Sequence, residues 1–226
     1  MIILALDCSA ALCAASVYDA ATGRELGREV RDLGKGHAEH LMQVIETALE
    51  RAGIGYEAVA RIAVSIGPGS FTGIRVAVST ARGLALALKV PAVGVSTLEA
   101  LAAEAREIAA GRPVLVVLNG GRGEVHGALH DSSGGTLVAP SVMTLDDTAA
   151  LVRDSLPVLA GNAAQAVAEA SSMSVDFGPF GATADIAVYA RLGADKPSSE
   201  KPSPLYLRAP DAKPQASFVL PRKADE

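Results

Sequence analysis

Apolar residues occur along the chain in short runs, separated by turns that are rich in glycine and polar residues. The first two runs, at residues 2–6 and 13–18, predict β-strands, and residues 24–31, with Leu26 and Val30 as apolar positions, predict a weaker third strand. Their connections are only a few residues long, so the strands are predicted to form an antiparallel meander. A helix is predicted over residues 37–52, because apolar side chains recur there every three or four positions and Gly53 stands where a helix C-cap would lie.

A glycine-rich turn follows the next apolar run, at residues 62–64, which predicts a buried strand. The turn is made of four residues: Gly67, Pro68, Gly69 and Ser70. A long helix is predicted over residues 72–88, capped by either Ser70 or Thr72. The turn lacks a P-loop lysine and its glycines do not follow the dinucleotide-binding spacing, so we interpret it as a structural turn that permits close helix packing.

The 72–88 helix has no clean polar face, which is typical of a helix buried on more than one side. One side is expected to cover the protein's own sheet, and the other is expected to contact a partner together with the 37–52 helix. The alternative is a central core helix without a partner. The residues predicted to form the partner surface are Leu41, Met42, Ile45, Gly73, Ala77 and Ala81.

The order of the predicted elements favours an α/β fold. A strand at 91–95 and a helix at 97–108 complete a series of three meander strands followed by helix, strand, helix, strand and helix. This order is similar to the ribonuclease H-like topology of the actin-like superfamily. We therefore predict an N-terminal ribonuclease H-like domain over residues 1–110.

The second half of the chain repeats this pattern in reduced form. Strands are predicted at 114–118, 124–130, 136–139 and 157–160, with helices after Thr144 and at 162–170 and 184–192. We predict a smaller ribonuclease H-like domain over residues 111–195. Six of the twelve prolines follow, so residues 196–226 are predicted to be an extended tail in which residues 205–207 dock on the body.

Charge and composition limit the function classes. The net charge is -5, so any contact with RNA is expected only through a complex whose other members supply most of the phosphate binding. The N-terminus lacks a basic signal region, and no uninterrupted apolar run reaches the roughly 20 residues of a membrane span. We therefore predict a cytoplasmic protein that does not engage a membrane, with Cys8 and Cys13 as reduced thiols.

Asp7 ends the first strand, where actin-like ATPases hold magnesium beside a nucleotide. Ser9 supplies a hydroxyl, but the following turn has no glycine. The equivalent strand of the second half ends at Asn119 instead of a carboxylate, although glycines follow it. Asp7, Ser9 and Asn119 thus indicate a vestigial nucleotide site, or else polar strand ends that are satisfied locally.

His37 and His40 lie three residues apart at a helix start and invite a metal hypothesis. No third ligand is apparent and the spacing is not that of a zinc peptidase, so no metal site is predicted.

Several motifs resemble the TsaB (YeaZ) family, which supports the formation of threonylcarbamoyladenosine in bacterial tRNA. They are GPGSFTGIR at 67–75, ILALDCS near the N-terminus, GHAEHL at 36–41, VPAVGVSTLEALA at 90–102, GRGEVHGAL at 121–129 and PLYLRAPDAKP at 204–214. The chain departs from the family at Asn119 and His126, where aspartate and tyrosine are usual, and at Cys8, where the family more often has threonine.

The resemblance implies a subunit without catalytic residues or a cofactor of its own. It implies binding to a TsaD-like transferase paralogue, action beside a TsaE-like ATPase, and a homodimer when the chain is alone. ATP or ADP and metal are expected in those partners. Two rival hypotheses remain: an ATP-dependent small-molecule kinase of the actin-like class, and an M22-type zinc peptidase built on His37 and His40.

Overall fold

The computed structural model describes residues 1–208. These residues form nine strands and six α-helices. The strands are β1 Ile2–Asp7, β2 Leu12–Asp19, β3 Arg24–Asp32, β4 Arg61–Ser65, β5 Ala92–Val95, β6 Val114–Gly121, β7 Glu124–His130, β8 Thr136–Thr144 and β9 Val158–Ala160. The helices are α1 His37–Ala52, α2 Phe71–Leu88, α3 Thr97–Arg106, α4 Leu145–Ser155, α5 Ala164–Ser171 and α6 Ile186–Asp195.

Two sheets share one topology. The first has the order β3-β2-β1-β4-β5, with β1 to β3 antiparallel and with β4 and β5 parallel to β1. The second has the order β8-β7-β6-β9, the same arrangement without the fifth strand. This strand order is that of the ribonuclease H-like fold, so the predicted α/β duplication with a reduced second half is confirmed.

Strand alternation sends side chains to two different cores. In β1, Leu4 and Leu6 face a cluster with α1 and α2 on one side of the first sheet. Ile3 and Ala5 face a second cluster on the other side, which also contains residues of α3, α6 and the second sheet. The first sheet with α1 and α2 is called the first lobe here, and the second sheet with α4 and α5 is called the second lobe. The second cluster joins the two lobes and is called the inter-lobe cluster. A third cluster lies between the second sheet and α4 and α5.

Helix α6 does not belong with the second half. It packs on β1, β2 and β4 of the first sheet, although the predicted domain boundary assigned it to residues 111–195. Its buried face includes Ile186 and Tyr189, which join the inter-lobe cluster. The apolar periodicity of 184–192 indicated a buried face, but periodicity does not say which sheet covers that face.

The described part of the predicted tail lies against the body of the protein. Residues 196–208 run in extended conformation, and Leu205 donates its N–H to the carbonyl oxygen of Ile66 at 2.8 Å. The predicted docking of residues 205–207 on the body is confirmed, and the prediction for 209–226 lies outside the described residues. Within residues 1–208, α2 is a helix long and apolar enough to suit a membrane span. It carries Arg75 and Arg82 and packs on the first sheet, and core helices of soluble proteins have the same composition.

Candidate functional site

The glycine-rich turn before α2 closes on the hairpin turn between β1 and β2. Ser70 donates its backbone N–H to the carbonyl oxygen of Ser9 at 2.6 Å. The Ser70 hydroxyl accepts the N–H of Gly73 at 3.2 Å. Ser70, and not Thr72, is therefore the cap of α2.

Glycine is required in this turn for close approach. The Gly67–Pro68 peptide bond is cis, and Gly67 has a φ of 96° in the left-handed region. A Cβ on Gly69 would collide with the carbonyl oxygen of Ser9, and a Cβ on Gly73 would collide with that of Cys8. This geometry supports the structural interpretation of the turn.

Asp7 is buried, and both of its carboxylate oxygens accept hydrogen bonds from within the chain. Oδ1 accepts the N–H of Ser9 at 2.8 Å, and Oδ2 accepts the hydroxyl of Thr183 at 2.7 Å. Thr183 in turn lies 2.7 Å from the hydroxyl of Tyr189, which is fully buried. Burial, followed by the charge of Asp7, raises the pKa of Tyr189, so this phenol stays protonated.

Asn119 has a different environment. It is exposed, and its backbone N–H donates to Oδ1 of Asn162 at 2.8 Å. Its own side-chain oxygen accepts the N–H of Gly121 at 2.8 Å, which closes the turn after β6. In the described part of the chain, no hydrogen bond joins Asn119 to Asp7 or Ser9.

These residues do not fit a magnesium nucleotide. Asp7 is only 1% exposed and already accepts two hydrogen bonds from within the chain, so its carboxylate has little access to an ion or to the water shell of one. The buried hydroxyl of Ser9 has no hydrogen-bond partner among the described residues. For Asp7 and Asn119 the geometry favours the alternative interpretation of polar strand ends that are satisfied locally. We therefore derive no nucleotide chemistry from this site.

The histidine pair does not form a metal centre. His37 is buried, and its Nε2 has no hydrogen-bond partner. Among residues 1–208 there is no group of three or more His, Cys, Asp or Glu side chains that would hold a metal ion.

Five of the six predicted interface residues are buried inside the protein. They offer no surface to another protein. Four of them are at most 1% exposed, and the fifth lies on the buried face of α2; in that order they are Leu41, Ile45, Ala77, Ala81 and Gly73. The prediction that these five contact a partner is wrong. The small residues Gly73, Ala77 and Ala81, which recur every four positions and are called the small-residue stripe of α2 here, face the protein's own core. Met42, with 43% of its surface exposed, is the one of the six that faces outward.

The opposite side of α2 is exposed and partly apolar. Phe71 is 57% exposed and Leu86 is 83% exposed, at the two ends of the helix. Between the N-terminal half of α2 and Ala38 of α1 lies a groove of about 440 Å³. Arg75 and Val76 line this groove. The outward face of α2, rather than its small-residue stripe, is therefore the candidate functional surface.

An aromatic cluster at the start of α2 was missed by the sequence analysis. The Arg75 guanidinium lies 3.7 Å from the centre of the Phe71 ring, and its Nε donates to the hydroxyl of Tyr206 at 2.7 Å. Phe71 and Arg75 are four residues apart, so helical spacing alone would have placed them side by side. No sequence pattern indicated that Tyr206 returns to this helix from 131 residues away.

The fold and the site together define a class: a duplicated ribonuclease H-like protein of the actin-like superfamily. In this chain the polar side chains of Asp7 and Asn119 at the two strand ends each bond to residues nearby, and the exposed feature is a helix face.

Comparison with known proteins identifies the family. Residues 31–191 match the family described as TsaD: tRNA N6-adenosine threonylcarbamoyltransferase. The chain belongs to this family and, within it, to the TsaB (YeaZ) proteins.

Curated relatives include two tRNA threonylcarbamoyladenosine biosynthesis proteins TsaB. The protein of Buchnera aphidicola is 35% identical over 55% of this chain and 58% of its own length. The protein of Escherichia coli is 30% identical over 57% of this chain and 54% of its own length. The chain thus spans little more than half the length of these relatives. An uncharacterized Mycobacterium tuberculosis protein is 33% identical over 84% of both chains.

Solved structures extend the similarity to nearly the whole chain. An uncharacterized Pseudomonas aeruginosa protein with similarity to peptidase YEAZ is 25% identical, with a TM-score of 0.75 over 92% of this chain and 99% of that one. YeaZ from Pseudomonas aeruginosa is also 25% identical and gives a TM-score of 0.72 over 91% and 99%. The predicted resemblance to the TsaB (YeaZ) family is therefore confirmed.

Proposed function

We propose that this chain is a non-catalytic subunit required for the N6-threonylcarbamoylation of adenosine in tRNA. Its partner would be a catalytic TsaD-like transferase. The names of the TsaB relatives and the match to the transferase family support the pathway. The observation that supports the non-catalytic role is the Asp7 site, where the carboxylate is buried and already accepts hydrogen bonds from Ser9 and Thr183.

The exposed face of α1 and α2 is the proposed contact with the transferase. Phe71, Met42 and Leu86 are exposed apolar side chains on these two helices, and exposed apolar surface of this kind is typical of protein interfaces. We propose that the same face forms a homodimer when the chain is alone, and that a TsaE-like ATPase joins the complex. We also propose that the protein acts in the cytoplasm.

Contact with tRNA belongs to the assembled complex in this proposal. With a net charge of -5, the free chain as a whole is not expected to attract the phosphate backbone strongly. Binding of tRNA to the isolated chain is expected to be weak and to vanish as salt rises.

Reconstitution tests the proposal. The chain is mixed with the TsaD-like transferase, the TsaE-like ATPase and unmodified tRNA from the same organism, and the modified nucleoside is measured by mass spectrometry. We expect modification only when this chain is present, and a stable complex with the transferase by size-exclusion chromatography. Full modification without this chain, or modification by this chain alone, would contradict the proposal.

Neither rival function is favoured by a particular observation. An ATP-dependent kinase would need a free carboxylate at the end of β1, and a zinc peptidase would need a third ligand near His37. Calorimetry with ATP and metal analysis of the purified chain test both rivals directly.

A further inference from the structure

Residues 202–208, called the strap here, run from the first lobe to the second. Pro202 is buried beside Gly94 of β5. Leu205 donates its N–H to the carbonyl oxygen of Ile66 at 2.8 Å, directly after the end of β4. The strap therefore begins at the carboxyl ends of the parallel strands of the first sheet.

Tyr206 fixes the middle of the strap to α2. Its ring centre lies 5.7 Å from that of Phe71, and its hydroxyl accepts a hydrogen bond from Nε of Arg75 at 2.7 Å. The Arg75 guanidinium also lies over the Phe71 ring. The ring contact and the hydrogen bond together anchor Tyr206 on the first lobe.

The last residues of the strap are anchored on the second lobe. Leu207 packs against the inter-lobe cluster. Arg208 donates to the carbonyl oxygen of Gly121 at 3.0 Å and forms an ion pair with Glu124. Gly121 ends β6 and Glu124 begins β7, so this anchor holds the hairpin turn of the second sheet.

We propose that the strap is a clamp that couples the exposed start of α2 to the β6–β7 turn of the other lobe. Because the two anchors lie on one short segment, each keeps the other at a high effective concentration at its site. By the reciprocity of linked equilibria, the factor by which release of one anchor weakens the other is the same in both directions. Any event at Phe71 and Arg75 is thereby transmitted to the second lobe through Tyr206 and Arg208.

Amide hydrogen exchange in the full chain, measured by NMR, tests this coupling. Tyr206→Ala removes the first-lobe anchor, and we expect faster exchange of the amides of residues 124–126 in the second lobe. Arg208→Ala removes the second-lobe anchor, and we expect faster exchange of the Leu205 amide. The expected acceleration is roughly two- to tenfold, which corresponds to the usual net value of one hydrogen bond.

Phe180→Ala is the matched control, because Phe180 is 55% exposed where Tyr206 is 49% exposed, and its ring contacts Phe177 instead of the strap. This variant is expected to change neither reporter, and circular dichroism checks that all three variants are folded. Faster amide exchange in the lobe opposite to the removed anchor, in both variants, supports the clamp. Faster exchange only in the lobe that has lost its anchor, or equally faster exchange in the control variant, would overturn it.

Discussion

Gly73 shows how a single residue sets the packing of α2. It is buried, and a Cβ at this position would collide with the carbonyl oxygen of Cys8. We expect Gly73→Ala to lower the free energy of unfolding by about 2 kcal/mol, in the range of overpacking substitutions. Urea denaturation followed by circular dichroism measures this change.

Gly83 is the matched control in the same helix. It is exposed, and a Cβ there would meet nothing within 4 Å. Because alanine is a better helix former than glycine, Gly83→Ala is expected to raise the free energy of unfolding by about 0.5–1 kcal/mol. Equal effects of the two substitutions would show that the contact with Cys8 does not restrict Gly73.

His130 gives the stability of the protein a predictable pH dependence. The residue is buried, neither ring nitrogen has a hydrogen-bond partner among the described residues, and burial, then the charge of Arg106, lowers the pKa of its imidazole. In the unfolded chain the pKa of this imidazole stays near 6.5, so just below that pH the unfolded state binds more protons than the folded state does. The free energy of unfolding is therefore expected to fall as the pH drops below 6.5.

The variant His130→Leu isolates this contribution. It removes the titrating group while keeping an apolar side chain in the same space, so the slope of stability against pH between about 7 and 5 should become shallower. Denaturation at several pH values measures both slopes. A second histidine, His126, is half-buried, and burial lowers its pKa too. The variant is therefore expected to retain part of the pH dependence. An unchanged slope would show that His130 titrates alike in both states.

At the scale of elements, the sequence predicted most strands and helices to within a few residues. Helix α1 and strand β7 were predicted with the bounds that the structure shows. Helix α4 begins directly after Thr144, as predicted, and Thr144 and Asp147 form a reciprocal capping box there. These features depend on side-chain periodicity and on contacts between near neighbours, which a sequence displays directly.

The side of α2 that faces the core was not predictable from its pattern. A helix that is apolar nearly all round gives no periodic signal for its buried side. The choice is made by Gly73 and by Gly69 in the turn before it, which bring the helix start against the carbonyl groups of Cys8 and Ser9. Contacts between such distant segments are tertiary and leave no local pattern in the sequence.

Two substitutions in α2 separate core from surface. Ala77 is fully buried, so Ala77→Arg buries an unpaired charge and is expected to destabilise the fold by about 3–5 kcal/mol. Leu86 is largely exposed, so Leu86→Arg is expected to leave the fold intact and to weaken binding of the proposed transferase partner. Circular dichroism and calorimetric titration measure the two effects. A folded Ala77→Arg protein that loses only partner binding would contradict the burial of this stripe.

At the scale of the whole molecule, the internal bonding of Asp7 predicts a chain without ATPase activity of its own. The isolated protein is expected to hydrolyse ATP at the background rate. Asp7→Ala is expected to leave that rate unchanged and to lower the free energy of unfolding by about 1–3 kcal/mol, because Thr183 and the backbone of Ser9 lose their acceptor. Robust turnover that Asp7→Ala abolishes would contradict this role.

The return of α6 to the first sheet has a consequence for synthesis of the chain on the ribosome. All five strands of the first sheet have been made by Val95, yet the helix that covers one of its faces begins at Ile186. At general translation rates the intervening residues take roughly 5 to 20 s to appear, and through that interval the uncovered face meets water and chaperones. A nascent chain that stopped before Ile186 would hold every strand of both sheets and still lack the cover of its first lobe.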